Sequence, residues 1–244
     1  MTQATSTRQP LWAALAFVGL LVAGVAVVPT PPGVTDSAAA VVGFYRGHHD
    51  AIALQAWLTM AASVPAAALV AFVTHRMSTA ARYAFVVAAA ATVGLLAVGL
   101  LLRLGLARHP STLDPATART LADVEAYWAP LLTFPILTQA AAVMLTVRAG
   151  DFPRWLAVIS GVLAVEQLAE SATVFGDHGF LAPGGDMNNL LGPALYGIWL
   201  IALGVAAGSA TPSARRAASS DAIDPSSQDV HEHREGPPNA ERAT

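Results

Sequence analysis

The chain has no cysteine. That excludes disulfides, thiol catalysis and cysteine-ligated metals. It has no lysine either, so all thirteen basic residues are arginine. Charge is scarce altogether: 12% of the 244 residues are Asp, Glu, Lys or Arg. A soluble globular domain carries about 25%. H-E-x-x-H, G-x-S-x-G and P-loop patterns are absent, and no apolar run carries the evenly spaced arginines of a voltage sensor. The sequence therefore leans away from an enzyme and calls for no cofactor, no metal and no nucleic acid.

What is present is apolar length. The chain is 55% hydrophobic, with mean hydropathy +0.53. Six stretches, at roughly 11–29, 52–74, 83–102, 129–147, 155–175 and 189–207, are nearly free of charge. About 20 apolar residues cross a bilayer as a helix. Lipid offers backbone groups no partners, so such stretches must be helical. The expectation is an all-α polytopic bundle of six spans in a bacterial plasma membrane. It divides into a short N-terminus (1–10), a transmembrane domain (11–208) and a tail (209–244). The first run is longer than an ordinary signal-peptide core, and "PTPPG" follows it, so it reads as a retained span, with cleavage as the alternative.

Arginines gather on the cytoplasmic side of short loops. With six spans, Arg8, Arg76, Arg82, Arg148, Arg154, Arg215 and Arg216 share one face, and Arg46, Arg103, Arg108 and Arg119 the other. Both termini are thereby expected in the cytoplasm. The tail is polar and rich in Pro and Ser, too poor in apolar surface to offset its ordering entropy. Its His231 and His233 are too few for a metal-binding tract.

Two longer connections are expected outside. In the first, Thr35 or Asp36 would cap a short helix, whose Val41, Val42 and Tyr45 would lie along the membrane surface. In the third loop, Asp114 before Pro115 signals a helix start, and Leu121, Val124 and Trp128 form an apolar stripe. That helix would run into the fourth span, kinked at Pro130 and Pro135. Asp50 and Asp151 are expected to cap the second and fifth spans.

The polar residues inside the spans carry whatever chemistry there is. Glu166 and Glu170, in "VLAVEQLAES", lie four apart and share a helix face. Glu166 falls about twelve residues into its span, near mid-depth. An ionised group there costs about 2.5 kcal/mol or more, so at least one of the two must be protonated, paired or facing water. Arg103, Gln55, Gln139, Tyr196, Asn188 and Asn189, and "FYRGHHD" with Tyr45, Arg46, His48, His49 and Asp50, all fall in the same half of the bundle. They are expected to converge on a polar cavity, with Glu166, Glu170, Gln139, Arg103, Gln55, His49 and Tyr196 as its binding set. Three classes of function stay open. One is an accessory protein that binds lipid, a membrane partner or a second copy. Another is a small-solute or proton-coupled transporter using the two glutamates. The last is an enzyme with a metal on His48, His49, Glu170 and His178.

"FYRGHHDAIALQAWL" entering the second span, "DFPRWLAVISGVL" opening the fifth and "LLGPALYGIWL" in the sixth together resemble a family of actinobacterial multi-pass membrane proteins of unknown function. The resemblance spans roughly residues 11 to 207 and is most specific at the Phe152–Trp155 turn. It implies the six-span topology and no particular chemistry.

Overall fold

The computed structural model describes residues 8–109, 112, 114–176 and 178–209. The tail with Arg215, Arg216, His231 and His233 lies outside the described residues. Helices in order are α1 (Gln9–Ala26), α2 (Ala38–Gly47), α3 (His49–Ala61), α4 (Ser63–Thr74), α5 (Thr79–Arg108), α6 (Pro115–Trp128), α7 (Thr133–Arg148), α8 (Arg154–Ser171) and α9 (Gly192–Ser209). Short tighter turns follow α6 and α8 at Ala129–Leu132 and Ala172–Phe175, and a wider turn at Met187–Leu191 leads into α9. No strand occurs among the described residues.

Six helical segments are long and apolar enough to cross a membrane: Gln9–Ala26, His49–Thr74, Thr79–Arg108, Pro115–Arg148, Arg154–Phe175 and Met187–Ser209. Their outward faces carry bulky apolar groups such as Trp57, Val87, Leu101, Phe134, Val158 and Val165, all exposed. Their inward faces are built from Ala, Gly and a few large anchors, which suits helices that associate by close packing in lipid. Gly204 shows the pattern. A Cβ there would sit 2.9 Å from both Ala14 Cβ and the Pro10 carbonyl, so α9 and α1 touch backbone to backbone.

Six crossings put the start of α1, the α4–α5 turn, the α7–α8 turn and the end of α9 at one face, here called proximal. The distal face holds α2, α6 and the connection from α8 to α9. At the proximal face, Arg82 Nε donates to the Thr74 carbonyl (2.9 Å) and its Nη2 to that of Met77 (3.1 Å). One guanidinium thus ties α5 to carbonyls at and just past the end of α4. Gly150, at φ +87°, turns the chain between α7 and α8, a conformation glycine adopts without a Cβ clash.

Several local expectations change. Ser37, rather than Thr35 or Asp36, caps α2, its hydroxyl accepting from Ala40 N–H at 3.2 Å. Asp36 instead accepts from Gly33 N–H at 2.7 Å. Asp50 and Asp151 cap nothing: α3 and α8 follow His48 and Pro153 with no side-chain cap. Asp114 does cap α6, accepting from Thr117 N–H at 3.1 Å. The second span is broken at Ala62, because Pro65 has no N–H to return to the carbonyl of Ala61. The fourth span departs from regular α-geometry at Ala129–Leu132, around Pro130.

The largest change concerns α2, whose Val41 and Tyr45 face the protein rather than outward. Val41 and Tyr45 are buried with Ile52, Leu106, Ala107 and Ala118, so α2 packs onto α6 and the ends of α3 and α5. Arg119 fastens this cap. Its Nη1 donates to the carbonyls of Gly33 (2.8 Å) and Asp36 (3.0 Å), and its Nη2 pairs with Asp123 one turn along.

Candidate functional site: a polar-walled cavity in the distal half

Beneath the α2–α6 cap the helices part around a cavity of about 480 Å³. That lies within the usual range for small-molecule sites, about 300–1,000 Å³. Most of its lining is apolar, including Val18, Leu21 and Val22 of α1 and Leu96 and Leu100 of α5, and polar side chains of α3, α5, α6, α8 and α9 are set into it.

Two polar groupings frame it. The first is centred on Arg103 of α5. Its Nε and Nη2 both donate to Glu125 Oε1, the former at 3.1 Å, and its Nη1 donates to Gln55 Oε1 at 3.1 Å. Both side chains of the ion pair are largely buried. A guanidinium offers five donors in a rigid fork, and three of its N–H groups tie α5 to α6 and α3. Tyr45 sits against this pair. Burial, reinforced by the charge of Glu125 and opposed by that of Arg103, raises its phenol pKa.

The second grouping belongs to α8 and the entry to α9. Gln167 Nε2 donates to Glu166 Oε2 (2.8 Å) and to Glu170 Oε2 (2.7 Å). Asn188 Nδ2 donates to Glu170 Oε1 at 3.0 Å. Gly192 makes room: a Cβ there would stand 2.6 Å from Glu170 Oε2. Glu166, Gln167, Glu170 and Asn188 are all buried. Glu166 Oε1, Gln167 Oε1 and Asn188 Oδ1 have no hydrogen-bond partner.

Deeper in, Gln139 Nε2 donates to Thr92 Oγ1 (2.8 Å), and Tyr196 Oη donates to Gln139 Oε1 (3.2 Å). Tyr196 stacks on Trp199, ring centroids 5.8 Å apart, and Trp199 Nε1 donates to Ser160 Oγ at 2.9 Å. Below that the bundle closes on Ala140, Val143, Leu163 and Leu203, all fully buried.

Of the sequence-derived set, Gln55, Arg103, Glu170 and Tyr196 line the cavity. Glu166 and Gln139 stand one hydrogen bond behind it, through Gln167 and Tyr196. His49 is elsewhere. The α2–α3 turn turns it outward, where Nδ1 meets the Arg46 carbonyl (3.2 Å) and Nε2 lies 3.4 Å from Asp50. His48 folds back on its own helix, Nδ1 2.9 Å from the Phe44 carbonyl. Among the described residues no three His, Cys, Asp or Glu side chains gather as a metal site, so the His48, His49, Glu170 and His178 set is not assembled.

Glu125, Gln167 and Thr92 were not foreseen. Glu125 carried a readable signal: it lies at i+4 between Leu121 and Trp128 and so interrupts the apolar stripe of α6. No protein family model matches the chain, and no curated protein or solved structure matches it.

Proposed function

We propose that the chain is a multi-pass binding protein of a bacterial plasma membrane, with both termini cytoplasmic and the distal cavity facing outward. The carrying observation is the cavity itself: an apolar wall facing buried polar side chains under a fastened cap. An accessory protein that only packed against a partner would need no such interior. The arginine distribution supports the orientation. Arg103 is held by Glu125 and Gln55, and Arg119 by Asp123 and two carbonyls. Both are therefore occupied in the fold, whereas Arg148 and Arg154 flank a short proximal loop.

The lack of native cysteine makes the orientation directly testable. Ala149→Cys should resist a membrane-impermeant maleimide in intact cells, and Thr112→Cys should react. The reverse pattern overturns the orientation. For the binding role, Leu100→Trp should fill the cavity. A compound that raises the melting temperature of the detergent-solubilised wild type should leave that variant unmoved. Equal stabilisation of both places binding elsewhere.

Transport is the second reading. It is favoured by the buried polar contacts that continue below Glu170, Tyr196 to Gln139 and Trp199 to Ser160. Uptake of a bound compound into sealed proteoliposomes supports it. Saturable binding without uptake leaves the binding protein.

A further inference from the structure

Resting on the cavity reading, we infer that the ligand is an amphiphilic organic cation, an amine whose ammonium group docks at Glu170 beside Gln167 and Asn188, with Glu166 one hydrogen bond behind, while its apolar body lies against α1 and α5. The argument begins with donors and acceptors. Every N–H that Gln167 and Asn188 are seen to offer goes to a glutamate oxygen. What is left over, Glu166 Oε1, Gln167 Oε1 and Asn188 Oδ1, is acceptor only. Three buried acceptors on three adjoining side chains call for something that brings several N–H groups at once. An ammonium has them and accepts nothing.

Charge points the same way. Arg103 and Glu125 cancel as a pair. Glu170 and, one bond behind, Glu166 then form a carboxyl pair held by two amides, with no basic side chain bonded to either among the described residues. Buried charges are tolerated when paired and hydrogen-bonded. The two amides provide the bonds, and the pairing charge is what a ligand would supply. Gln167 is 1% and Asn188 5% exposed, and both line the cavity with Glu170. An entering head group therefore meets a set of buried oxygens held in place by hydrogen bonds. Beyond them the valine and leucine wall suits a hydrocarbon tail or ring.

The test uses the full chain in detergent with 4-phenylbutylamine, 4-phenylbutanol and 4-phenylbutyrate, which share a body and differ in head group. Binding is read by equilibrium dialysis at neutral pH. The amine should bind, the alcohol roughly tenfold or more weakly, and the carboxylate not measurably. Glu170→Gln should weaken the amine roughly thirty-fold or more and the alcohol only a few-fold. Glu166→Gln gives the same sign if the first variant does not fold. Alcohol or carboxylate binding as tightly as the amine, blocked by Leu100→Trp, overturns the cationic head and keeps the cavity. No binding of all three overturns both. Sodium ions that displace the amine stoichiometrically at low millimolar concentration would make the site one for an inorganic cation and overturn the organic one.

Discussion

The two halves of the bundle are made from the same apolar alphabet and are held together differently. In the proximal half, Ala14, Val73, Leu156, Leu203 and Ala206 are fully buried, and α1 and α9 meet at a glycine. In the distal half the helices are spread around about 480 Å³. They are joined across the gap by Arg103–Glu125, Arg103–Gln55, Asn188–Glu170 and Arg119. Lipid tails are as apolar as leucine, so burial of apolar surface gives spans little reason to associate. Close contact does most of that work in one half, and polar bonds add to it around the cavity in the other.

The largest expected break comes from removing the cation of the distal half. Arg103→Ala leaves Glu125 buried and unpaired, a loss of about 3–5 kcal/mol, measured by unfolding in mixed micelles with increasing dodecyl sulfate. The double variant Arg103→Met, Glu125→Leu should recover most of that loss, since neither charge then remains uncompensated. A double variant as unstable as the single one would mean that the pair acts through shape rather than charge.

Next comes the proximal half. Gly204→Leu forces a side chain where even a Cβ stands 2.9 Å from Ala14 and Pro10. Overpacking of this kind costs about 1–3 kcal/mol. Ligand affinity in the distal half should stay within about twofold wherever the variant folds, because sites this far apart couple weakly. A change in stability with a matching change in affinity would show that the two halves are one mechanical unit.

How far the sequence was legible follows the same division. Six spans could be read from apolar length alone, since hydropathy records the lipid-facing surface. That record is blind to what faces inward. The break at Ala62 left no trace in hydropathy because Ser63 and Pro65 sit among alanines. Glu166 and Glu170 stood out because two carboxylates a turn apart have no place in lipid. Gln167 between them did not, because an amide carries no charge, yet it bonds both. Glu125 was overlooked because α6 begins in a polar connection and was read as an outer helix, when it forms part of the cavity wall. A lone Arg103 at the end of an apolar span implies a carboxylate partner, and Glu125 is that partner. The outward turn of His49 depends on how α2 docks, and that is set by Arg119 reaching back 86 positions to Gly33, a tertiary contact with no local signature.

The smallest expected effect sharpens the comparison at the junction of cap and cavity. Tyr45 is 2% exposed. Burial first, and the charge of Glu125 second, hold its phenol neutral beyond the ordinary value of 10.0. In the unfolded chain it ionises at that ordinary value. The contribution to stability is therefore fully present below about pH 10 and is lost as pH rises past it, since above that point the folded state keeps a proton that the unfolded state gives up. Without lysine or cysteine, the alkaline limb is carried by few groups besides the tyrosines. Tyr45→Phe should match wild type near neutrality and become relatively more stable above pH 10, by about 1 kcal/mol one pH unit higher. If the two curves stay parallel across that range, Tyr45 reaches solvent when folded, and the cap does not seal the distal half as its packing implies.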